Sequence, residues 1–312
     1  MKQKVDILIT LSTFGEYSNE PLRMIDESLF SYRINETGKR MNPDRIIEIG
    51  KDCVGVIAGV ENYDGETLEK LTKLCCISRV GAGIDNIDLV FARKKGIAVL
   101  NTADTPIAAV AELTLGMMLA LLRRLPEVND LMHRRKWQRI PGRLLSEKTV
   151  GIIGLGRIGR RVAELVSAFG ARVIGADPNP DNDWRERQGV DILPLMELLS
   201  RSDIVTNHAS GSVDTPVFLG KTEFYAMKQG AWFINMARGN MIDDEALFAA
   251  IDSEYLCGAG LDVYPEEPYT GPLCDHPRVI LFPHQATLAV ETRIAMENGA
   301  VRNLIQYLKN SI

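Results

Sequence analysis

Several features that define other protein classes are scarce in this sequence. The 312 residues contain five cysteines, an odd number without paired C-x-x-C spacing, so we expect reduced core thiols rather than disulfides or a zinc site. No apolar run approaches membrane-spanning length, and residues 1–10 fit a first strand better than a signal peptide. The net charge of −5 gives no reason to expect nucleic acid or an anionic membrane as a partner. These shortages predict a cytoplasmic protein without a bound metal.

The composition and the length are those of a globular protein with room for two domains. Hydrophobic residues make up 46% and charged residues 25% of the chain. Short apolar strands alternate with helical patterns from the N-terminus onward, which favours parallel sheets covered by helices. The predicted strands are Val5–Ile9, Val54–Ala58, Leu74–Ser78, Ile97–Leu100, Val150–Ile153, Arg172–Gly175, Asp203–Thr206, Ala231–Ala237, Ala259–Val263 and Val279–Phe282.

The stretch Thr149–Asp177 is the most informative part of the chain, because it reads as strand, tight turn, helix and strand. Its turn carries Gly154, Gly156 and Gly159 in the order G-x-G-x-x-G. The first glycine allows the sharp turn, the second lets a pyrophosphate approach the backbone, and the third lets helix and strand pack closely. Asp177 stands near the roughly 20-residue offset expected of an acid that binds a ribose hydroxyl. The stretch therefore predicts a dinucleotide site, against the plainer alternative of glycines in an ordinary strand–helix turn.

The residues around Asp177 favour NAD over NADP. A carboxylate at this position would repel a 2′-phosphate, and Pro178, which follows it, carries no positive charge. Arg185 and Arg187 lie too far along the chain to be assumed partners of such a phosphate.

The fold class predicted from this pattern is α/β, with two Rossmann-like domains, each a doubly wound parallel sheet. The first α/β unit is interrupted near residue 102 and completed by the C-terminal amphipathic helix Glu291–Leu308. We therefore predict a flavodoxin-like substrate domain formed by residues 1–101 and 286–312, into which an NAD-binding domain of residues 102–285 is inserted.

Between the first unit and the glycine motif, Thr105–Arg124 is almost entirely apolar. A helix that is apolar all round must be buried, here between two domains or against another subunit. The following stretch, Leu125–Arg143, carries a basic cluster from His133 to Arg139, whose simplest interpretation is a solvated helix face.

Three polar stretches follow the later predicted strands, at the sheet edge where ligands bind in open α/β sheets. They contain Arg238, Glu267 and His284. A histidine alone is more often structural than catalytic. An arginine and an acid at corresponding strand ends make a catalytic role for His284 the favoured interpretation. An arginine that binds a carboxylate, a histidine near neutral pKa and an acid that raises this pKa can together polarise a carbonyl and deliver a proton.

With these motifs the sequence resembles the NAD-dependent D-2-hydroxyacid dehydrogenases, and within them the phosphoglycerate dehydrogenase branch. The resemblance runs over nearly the whole chain and implies an oxidoreductase that acts on a CH–OH donor as a homodimer through the Thr105–Arg124 region. The motifs that carry it are Arg79–Asp88, Asn101-Thr102, Val110–Glu112, Gly154–Gly159, Ala237–Gly239, Leu261–Val263, Glu267-Pro268 and Pro283-His284.

The resemblance also implies roles for individual residues. Arg238 would bind the substrate carboxylate and carbonyl, His284 would be the general acid in reduction, and Glu267 would orient His284 and raise its pKa. The neighbouring Glu266 is interpreted as an exposed acid, since Glu267 is the one that precedes the proline. The implied cofactor-binding residues are Gly154, Gly156, Arg157, Ile158, Gly159, Asp177, Ala209, Ala237 and Asp262, with Asp262 on the nicotinamide carboxamide. The implied substrate-binding residues are Arg79, Val80, Gly81, Ala82, Gly83 and Arg139, with the N–H groups of Gly81–Gly83 on the carboxylate.

Two turns depart from the family's pattern and leave the substrate open. Gln285–Leu288 stands where the family has a glycine-rich turn with Ser or Thr, and His208–Gly211 stands where a proline is usual. Arg79 and Trp137-Gln-Arg139 match basic elements of the phosphoglycerate branch, which favours 3-phosphoglycerate and 3-phosphohydroxypyruvate. Hydroxypyruvate, glyoxylate and phosphonopyruvate remain alternatives.

A second class of function also remains open, an NAD-sensing binding module without turnover. Formate dehydrogenase is disfavoured because it pairs its histidine with glutamine, whereas this chain has Glu267. The chain ends soon after the C-terminal helix, so we expect none of the regulatory domains that many phosphoglycerate dehydrogenases carry, and no inhibition by serine.

Overall fold

The computed structural model describes residues 6–211 and 215–311, which form two compact units. Unit 1 contains the described residues up to Pro106 and again from Thr287 onward, and unit 2 contains those from Ile107 to Ala286. The first division lies five residues beyond the predicted boundary at 101/102, because Thr102 hydrogen-bonds to Gly81 within unit 1 and α-helix resumes only at Ile107. The first residue of the predicted strand Val5–Ile9 lies outside the described residues.

Strands and helices alternate along the chain, as the apolar pattern predicts. The strands are β1 (Ile7–Ile9), β2 (Tyr32–Ile34), β3 (Gly55–Ala58), β4 (Cys76–Arg79), β5 (Ala98–Asn101), β6 (Thr149–Ile153), β7 (Arg172–Ala176), β8 (Asp191–Ile192), β9 (Ile204–Asn207), β10 (Trp232–Asn235), β11 (Gly258–Leu261) and β12 (Val279–Leu281). The helices are α1 (Glu20–Asp26), α2 (Pro43–Gly50), α3 (Gly65–Lys70), α4 (Leu89–Lys94), α5 (Ile107–Arg123), α6 (Leu125–His133), α7 (Arg157–Ala168), α8 (Asn182–Gln188), α9 (Leu195–Arg201), α10 (Lys221–Ala226), α11 (Asp244–Asp252) and α12 (Val290–Ser311). Short 3₁₀ turns cover Leu145–Glu147, Gly239–Met241 and Pro272–Asp275.

Side-chain caps explain where several helices begin. An Asn or Asp directly before the first helical residue accepts a hydrogen bond from a backbone N–H of the first turn, which would otherwise lack a partner. The capping residues are Asn42, Asp64, Asp88, Asp181 and Asp243. The helix starts were therefore readable from single polar residues that precede apolar helical patterns.

Unit 1 is built on a parallel sheet, for which the described residues supply five strands in the order β2-β1-β3-β4-β5. This is the flavodoxin-like order. The C-terminal helix α12 packs on this sheet, and its Leu304 lies so close to Gly55 of β3 that a Cβ atom there would come within 2.9 Å of the leucine. The C-terminal segment thus completes the core that the first hundred residues begin.

Unit 2 is built on a second parallel sheet, with seven strands among its described residues in the order β8-β7-β6-β9-β10-β11-β12. Chain order runs outward from β6 in both directions, which is the Rossmann arrangement, and the strand order reverses between β6 and β9. Ligands bind at the carboxyl ends of the strands at such a reversal. The two sheets confirm the predicted fold class.

The apolar helix α5 is partly buried within unit 2, and its predicted contact with another domain or another subunit stays a prediction. It packs within unit 2, on α7 and on strands β10 and β11, where the sulfur of Met117 would lie 2.1 Å from a Cβ atom on Gly260. Glycine at position 260 therefore lets the helix approach the sheet closely. Leu113, Leu115 and Leu119 remain half-buried.

The prediction that the cysteines are mostly core thiols is wrong for two of them. Cys53 and Cys76 are buried and Cys75 is half-buried, but Cys257 and Cys274 are exposed. Cys257 lies between a turn and β11, and Cys274 lies within the 3₁₀ turn Pro272–Asp275; their apolar neighbours in sequence did not reveal these surface positions. Within residues 6–211 and 215–311, no helix has both the length and the apolar character needed to cross a membrane.

The packing of α12 yields a stability prediction. Leu304 is fully buried, so Leu304→Ala should lower the free energy of unfolding of unit 1 by about 2–5 kcal/mol through lost burial and a residual cavity. Leu29→Ala is the matched control, because Leu29 is 93% exposed and its removal should change little. Urea unfolding followed by circular dichroism measures both; equal midpoints for the two variants would contradict this packing.

Candidate active site

The glycine turn after β6 fits the backbone so tightly that it excludes side chains at two of its three glycines. Gly154 has φ +85°, and a Cβ atom there would lie 2.5 Å from the backbone nitrogen of Ala209, in the turn after β9. A Cβ atom on Gly159 would lie 2.0 Å from the carbonyl oxygen of Gly154. Gly156, by contrast, has open space on its Cβ side. The turn therefore packs tightly against the protein at Gly154 and Gly159 and leaves free space beside Gly156.

The open side of this turn has the chemistry of a phosphate site. Helix α7 begins at Arg157, directly after Gly156, so the N–H groups of Arg157 and Ile158 belong to a first turn without intrahelical acceptors. These N–H groups and the positive end of the helix dipole favour an anion. The carboxylate of Asp177, at the end of β7, accepts hydrogen bonds from the N–H groups of Leu155 (2.7 Å) and Asn179 (2.8 Å). It is thereby fixed beside the same turn, and the residues present fit a dinucleotide.

An acid–base pair lies after the last two strands of unit 2, β11 and β12. The Nδ1 atom of His284 is 2.9 Å from one carboxylate oxygen of Glu267 and 3.1 Å from the other. This hydrogen bond raises the pKa of His284 above its ordinary value, while burial opposes the rise. Burial is the largest influence on Glu267 and pushes its pKa upward, but the hydrogen bond and charge of His284, the N–H of Tyr264 and the charge of Arg238 together outweigh it, so the net shift is downward. With Nδ1 bonded to Glu267, Nε2 is the nitrogen that remains for proton exchange.

The backbone of His284 is held in a strained conformation. Its φ of +52° lies in the left-handed region, which costs a residue with a Cβ atom about 1–2 kcal/mol. The buried carboxylate of Asp262 accepts hydrogen bonds from the next two backbone N–H groups, those of Gln285 (2.8 Å) and Ala286 (2.9 Å). Burial raises the pKa of Asp262, although these two bonds oppose the rise. Asp262 thus fixes the turn that carries the histidine; contact with a nicotinamide carboxamide stays a prediction.

Arg238 lies close enough for its charge to act on both members of the pair, lowering the pKa of Glu267 and of His284. Its Nη1 atom donates a hydrogen bond to the carbonyl oxygen of Ala237 at 2.8 Å. The next residue, Gly239, packs against the backbone of Tyr264, where any Cβ atom would collide at 1.8 Å. The structure therefore brings together Arg238, Glu267, His284 and Asp262 from three separate strand ends.

In unit 1, the predicted carboxylate clamp at Gly81–Gly83 needs one correction. The N–H of Gly81 already donates to the hydroxyl of Thr102 at 2.8 Å, so it is not available to a ligand. Within the described residues, the N–H groups of Ala82 and Gly83 have no hydrogen-bond partner. Sequence reasoning missed Thr102 as the acceptor, although Asn101-Thr102 was part of the motif that supported the resemblance.

The two arginines assigned to a distal anion differ in their surroundings. Arg79, at the end of β4, is half-buried, and its Nη1 atom donates to the carbonyl oxygen of Val80 at 2.9 Å. The same atom would lie 1.5 Å from a Cβ atom on Gly81, so the guanidinium lies across that glycine. Arg139 lies in an exposed irregular segment of unit 2. Glu266 is exposed.

The two unusual turns have distinct structural roles. Within His208–Gly211, the Nε2 atom of His208 is 2.9 Å from the hydroxyl of Thr206, and burial lowers the pKa of His208 to about 3. This histidine is therefore neutral near pH 7. Gln285–Leu288 supplies the two N–H groups that Asp262 binds, a role that backbone atoms perform whatever their side chains.

Sequence reasoning gave no role to two buried amides at neighbouring strand ends. Asn207 accepts a hydrogen bond from the N–H of Ala209 (3.1 Å), and Asn235 accepts one from the N–H of Ala237 (3.2 Å). Both bonded alanines belong to the predicted cofactor set. An asparagine at a strand end is too common in sequences to indicate that it holds the following loop, so the sequence could not reveal this role. Within the described residues, no three His, Cys, Asp or Glu side chains gather into a metal site.

Fold and site together define the class, that of dinucleotide-binding proteins with a histidine–glutamate acid–base pair at the carboxyl edge of the sheet that carries the nucleotide turn. The sequence profile of the D-isomer specific 2-hydroxyacid dehydrogenase family, NAD binding domain, matches residues 115–286. The D-3-phosphoglycerate dehydrogenase of Methanocaldococcus jannaschii is 37% identical over 89% of this chain and 54% of its own length. The glyoxylate reductase of Korarchaeum cryptofilum is 33% identical over 86% of this chain and 83% of its own length.

A solved structure extends the likeness to three dimensions. The TT0316 protein from Thermus thermophilus superposes with a TM-score of 0.88 at 31% identity, covering 98% of this chain and 97% of that one. The chain belongs to the D-isomer specific 2-hydroxyacid dehydrogenase family. This confirms the predicted family, its phosphoglycerate dehydrogenase-like branch and the cofactor NAD. The chain spans about half the length of the curated D-3-phosphoglycerate dehydrogenases that it matches.

The contact between His284 and Glu267 yields a prediction about protonation. Glu267→Gln removes the charge that stabilises the imidazolium, so the pKa of His284 should fall, measured by NMR titration of the imidazole resonances. Because folding raises this pKa, the stabilisation from the pair is complete below about pH 6.5 and is lost as pH rises through the raised value. Glu266→Gln is the control and should leave the titration unchanged. An unaltered pKa in Glu267→Gln would contradict the assignment.

Proposed function

We propose that the protein is an NAD-dependent oxidoreductase that interconverts a D-2-hydroxyacid and its 2-oxoacid. The observation that carries this proposal is the His284–Glu267 pair, with the Arg238 charge acting on both residues. The reaction needs a proton donor for the carbonyl oxygen and a cation that binds the carboxylate, and these three side chains supply both. Bound NADH supplies the hydride.

Each residue has a separate task in the proposed reaction. In reduction, Nε2 of His284 donates its proton to the developing alkoxide, and in oxidation the neutral ring accepts it back. Glu267 holds the ring through Nδ1 and raises its pKa, which favours the protonated ring. Arg238 binds the carboxylate and polarises the carbonyl, which stabilises negative charge as it develops on that oxygen.

Other residues bind the two ligands. In unit 2, we propose that the N–H groups of Arg157 and Ile158 bind the pyrophosphate and that Asp177 binds the ribose. The fixed carboxylate of Asp177 disfavours a 2′-phosphate. In unit 1, the N–H groups of Ala82 and Gly83 bind a carboxylate, since they have no partner within the described chain. The cytoplasmic location inferred from the sequence remains part of this proposal.

For the substrate we propose 3-phosphoglycerate and 3-phosphohydroxypyruvate. Support comes from the D-3-phosphoglycerate dehydrogenase relative and from the position of Arg79 at the end of β4, beside the Ala82–Gly83 N–H groups. The glyoxylate reductase relative supports a smaller 2-oxoacid as the second candidate. A distal phosphate would use the charge of Arg79 and of Arg139, whereas glyoxylate has no group to occupy them.

We also propose that the protein is a homodimer through α5 and the segment that follows it. Apolar side chains are exposed there at Leu125 (51%), Met132 (48%), Trp137 (80%) and Leu144 (61%), more than an isolated surface usually shows within twenty residues. Sedimentation should give twice the mass of the chain, and Trp137→Lys with Leu144→Lys should shift the protein toward monomer. A wild-type monomer at micromolar concentration would contradict the dimer.

The activity is tested by NADH oxidation at neutral pH with 3-phosphohydroxypyruvate, hydroxypyruvate, glyoxylate, pyruvate and phosphonopyruvate. We expect kcat/KM to be highest for 3-phosphohydroxypyruvate and to be lost in His284→Ala. Tight NADH binding with no turnover of any member would refute the enzyme and favour an NAD-sensing module instead.

The substrate is tested separately by Arg79→Ala and Arg139→Ala. If these arginines bind the distal phosphate, each variant should raise KM for 3-phosphohydroxypyruvate at least about tenfold, the loss of one charge-assisted bond of about 1.5–3 kcal/mol. The KM for glyoxylate should not change, which provides an internal control. Equal effects on both substrates, or none, would leave a smaller 2-oxoacid as the substrate.

A further inference from the structure

Three fully buried polar side chains form a row across the carboxyl edge of the unit 2 sheet. Asn207 ends β9 and Asn235 ends β10, and the two residues are in register; Asp262 directly follows β11. Their exposed fractions are 0%, 0% and 1%. Buried polar groups are costly unless they are hydrogen-bonded, so the bonds that they make indicate what the row does.

The side chain of Asn235 makes two hydrogen bonds to the backbone around Arg238, one to the residue before it and one to the arginine itself. Its Oδ1 atom accepts a hydrogen bond from the N–H of Ala237 at 3.2 Å. Its Nδ2 atom donates a hydrogen bond to the carbonyl oxygen of Arg238 at 3.0 Å. One side chain thus fixes the backbone that enters and leaves the arginine.

The guanidinium group of Arg238 is fastened to the same short segment. Its Nη1 atom donates to the carbonyl oxygen of Ala237, so a rotation of that peptide would move the anchor of the arginine head group. On the far side, Gly239 lies against Tyr264 and leaves the segment no room to shift in that direction. The segment that anchors the guanidinium is therefore held by the two hydrogen bonds of Asn235 and by the packing of Gly239.

Asn207 connects this arrangement to the turn beside the glycine motif. Its Nδ2 atom donates to Oδ1 of Asn235 at 3.2 Å, and its Oδ1 atom accepts from the N–H of Ala209 at 3.1 Å. Ala209 is the residue whose backbone nitrogen excludes a Cβ atom at Gly154. A continuous chain of hydrogen bonds thus runs from Ala209, which packs against the glycine turn, to Arg238.

We propose that Asn235 is the positioning residue of Arg238, and that Asn207 links it to the nucleotide turn. The inference rests on the proposed function only for the role of Arg238 in binding the substrate. Without Asn235, the N–H of Ala237 and the carbonyl of Arg238 are buried without their partner, and the arginine moves away from the place that the sheet gives it. The residues of the row then have separate roles, since Asn235 positions the segment of Arg238 and Asp262 positions the turn that carries His284.

The test is a double-mutant cycle between Asn235 and Arg238, with the best 2-oxoacid of the panel and NADH. Asn235→Ala should lower kcat/KM about 100-fold, the scale expected for a catalytic group displaced by about 1 Å. In an Arg238→Lys background the same change should cost less than about threefold, because the ordered guanidinium is already gone. If Asn235 contributed only to stability, Asn235→Ala would lower kcat/KM by the same factor in the wild-type and the Arg238→Lys backgrounds.

Further readouts separate positioning from other effects. In Asn235→Ala the pH profile of kcat/KM should shift upward, because the displaced Arg238 charge no longer lowers the pKa of His284, while Glu267 and Asp262 still hold the ring and its turn. Asn235→Asp is a second variant of nearly the same size that keeps the acceptor and loses the donor to Arg238, so it should show an intermediate loss. The matched control is Asn35→Ala in unit 1, where a 4% exposed asparagine also bonds backbone carbonyls, at Thr10 and Lys39. It should lower stability without changing kcat/KM.

A crystal structure of Asn235→Asp decides the point without any turnover. A displaced or disordered Arg238 guanidinium is the expected result, and an Arg238 in its native place would overturn the proposal, as would equal factors in the two backgrounds of the cycle. Failure of every 2-oxoacid to react would refute the proposed function alone, because the crystal structure would still decide whether Asn235 positions Arg238.

Discussion

The hydrogen bonds from Gln285 and Ala286 to the buried carboxylate of Asp262 are the interaction on which the site most depends. They hold the turn in which His284 adopts a left-handed backbone conformation that an unsupported histidine would rarely keep. With that turn fixed, Nδ1 of His284 meets Glu267 and the pKa of the imidazole rises. A carboxylate at 1% exposure is itself expensive to bury, and its two N–H donors are what offset the cost.

The parallel sheet makes this arrangement possible. Strands that run in the same direction end at one edge, so residues that are far apart in the chain become neighbours there. Asn207 and Asn235 end strands and bind the backbone of the loop that follows their own strand, whereas Asp262 follows β11 and binds the loop after the neighbouring strand β12. Rigid strands therefore determine where the loops that carry Arg238 and His284 lie.

The sequence was sufficient for features that depend on local geometry. Gly154 and Gly159 were assigned a turn and a close approach, and the structure leaves no space for a Cβ atom at either. The pairing of Glu267 with His284 was predicted through the family resemblance, since nothing local joins residues seventeen apart.

Features that depend on distant contacts could not be predicted. The N–H of Gly81 was assigned to a ligand because its acceptor, Thr102, lies on a neighbouring strand end. The apolar composition of helix α5 predicted burial but not the partner, and Gly260 of β11 receives one side of the helix. Asn235 carried no sequence signal because its partners are backbone atoms.

The most direct measurement of the central claim is the chirality of the product. The purified protein would reduce hydroxypyruvate with NADH, and chiral chromatography would resolve the glycerate formed against standards of both enantiomers. A site that holds the carboxylate at Arg238 and delivers the proton from His284 in this family's arrangement should yield D-glycerate alone. L-glycerate, or a racemic product, would contradict the assignment of these residues to a D-2-hydroxyacid dehydrogenase.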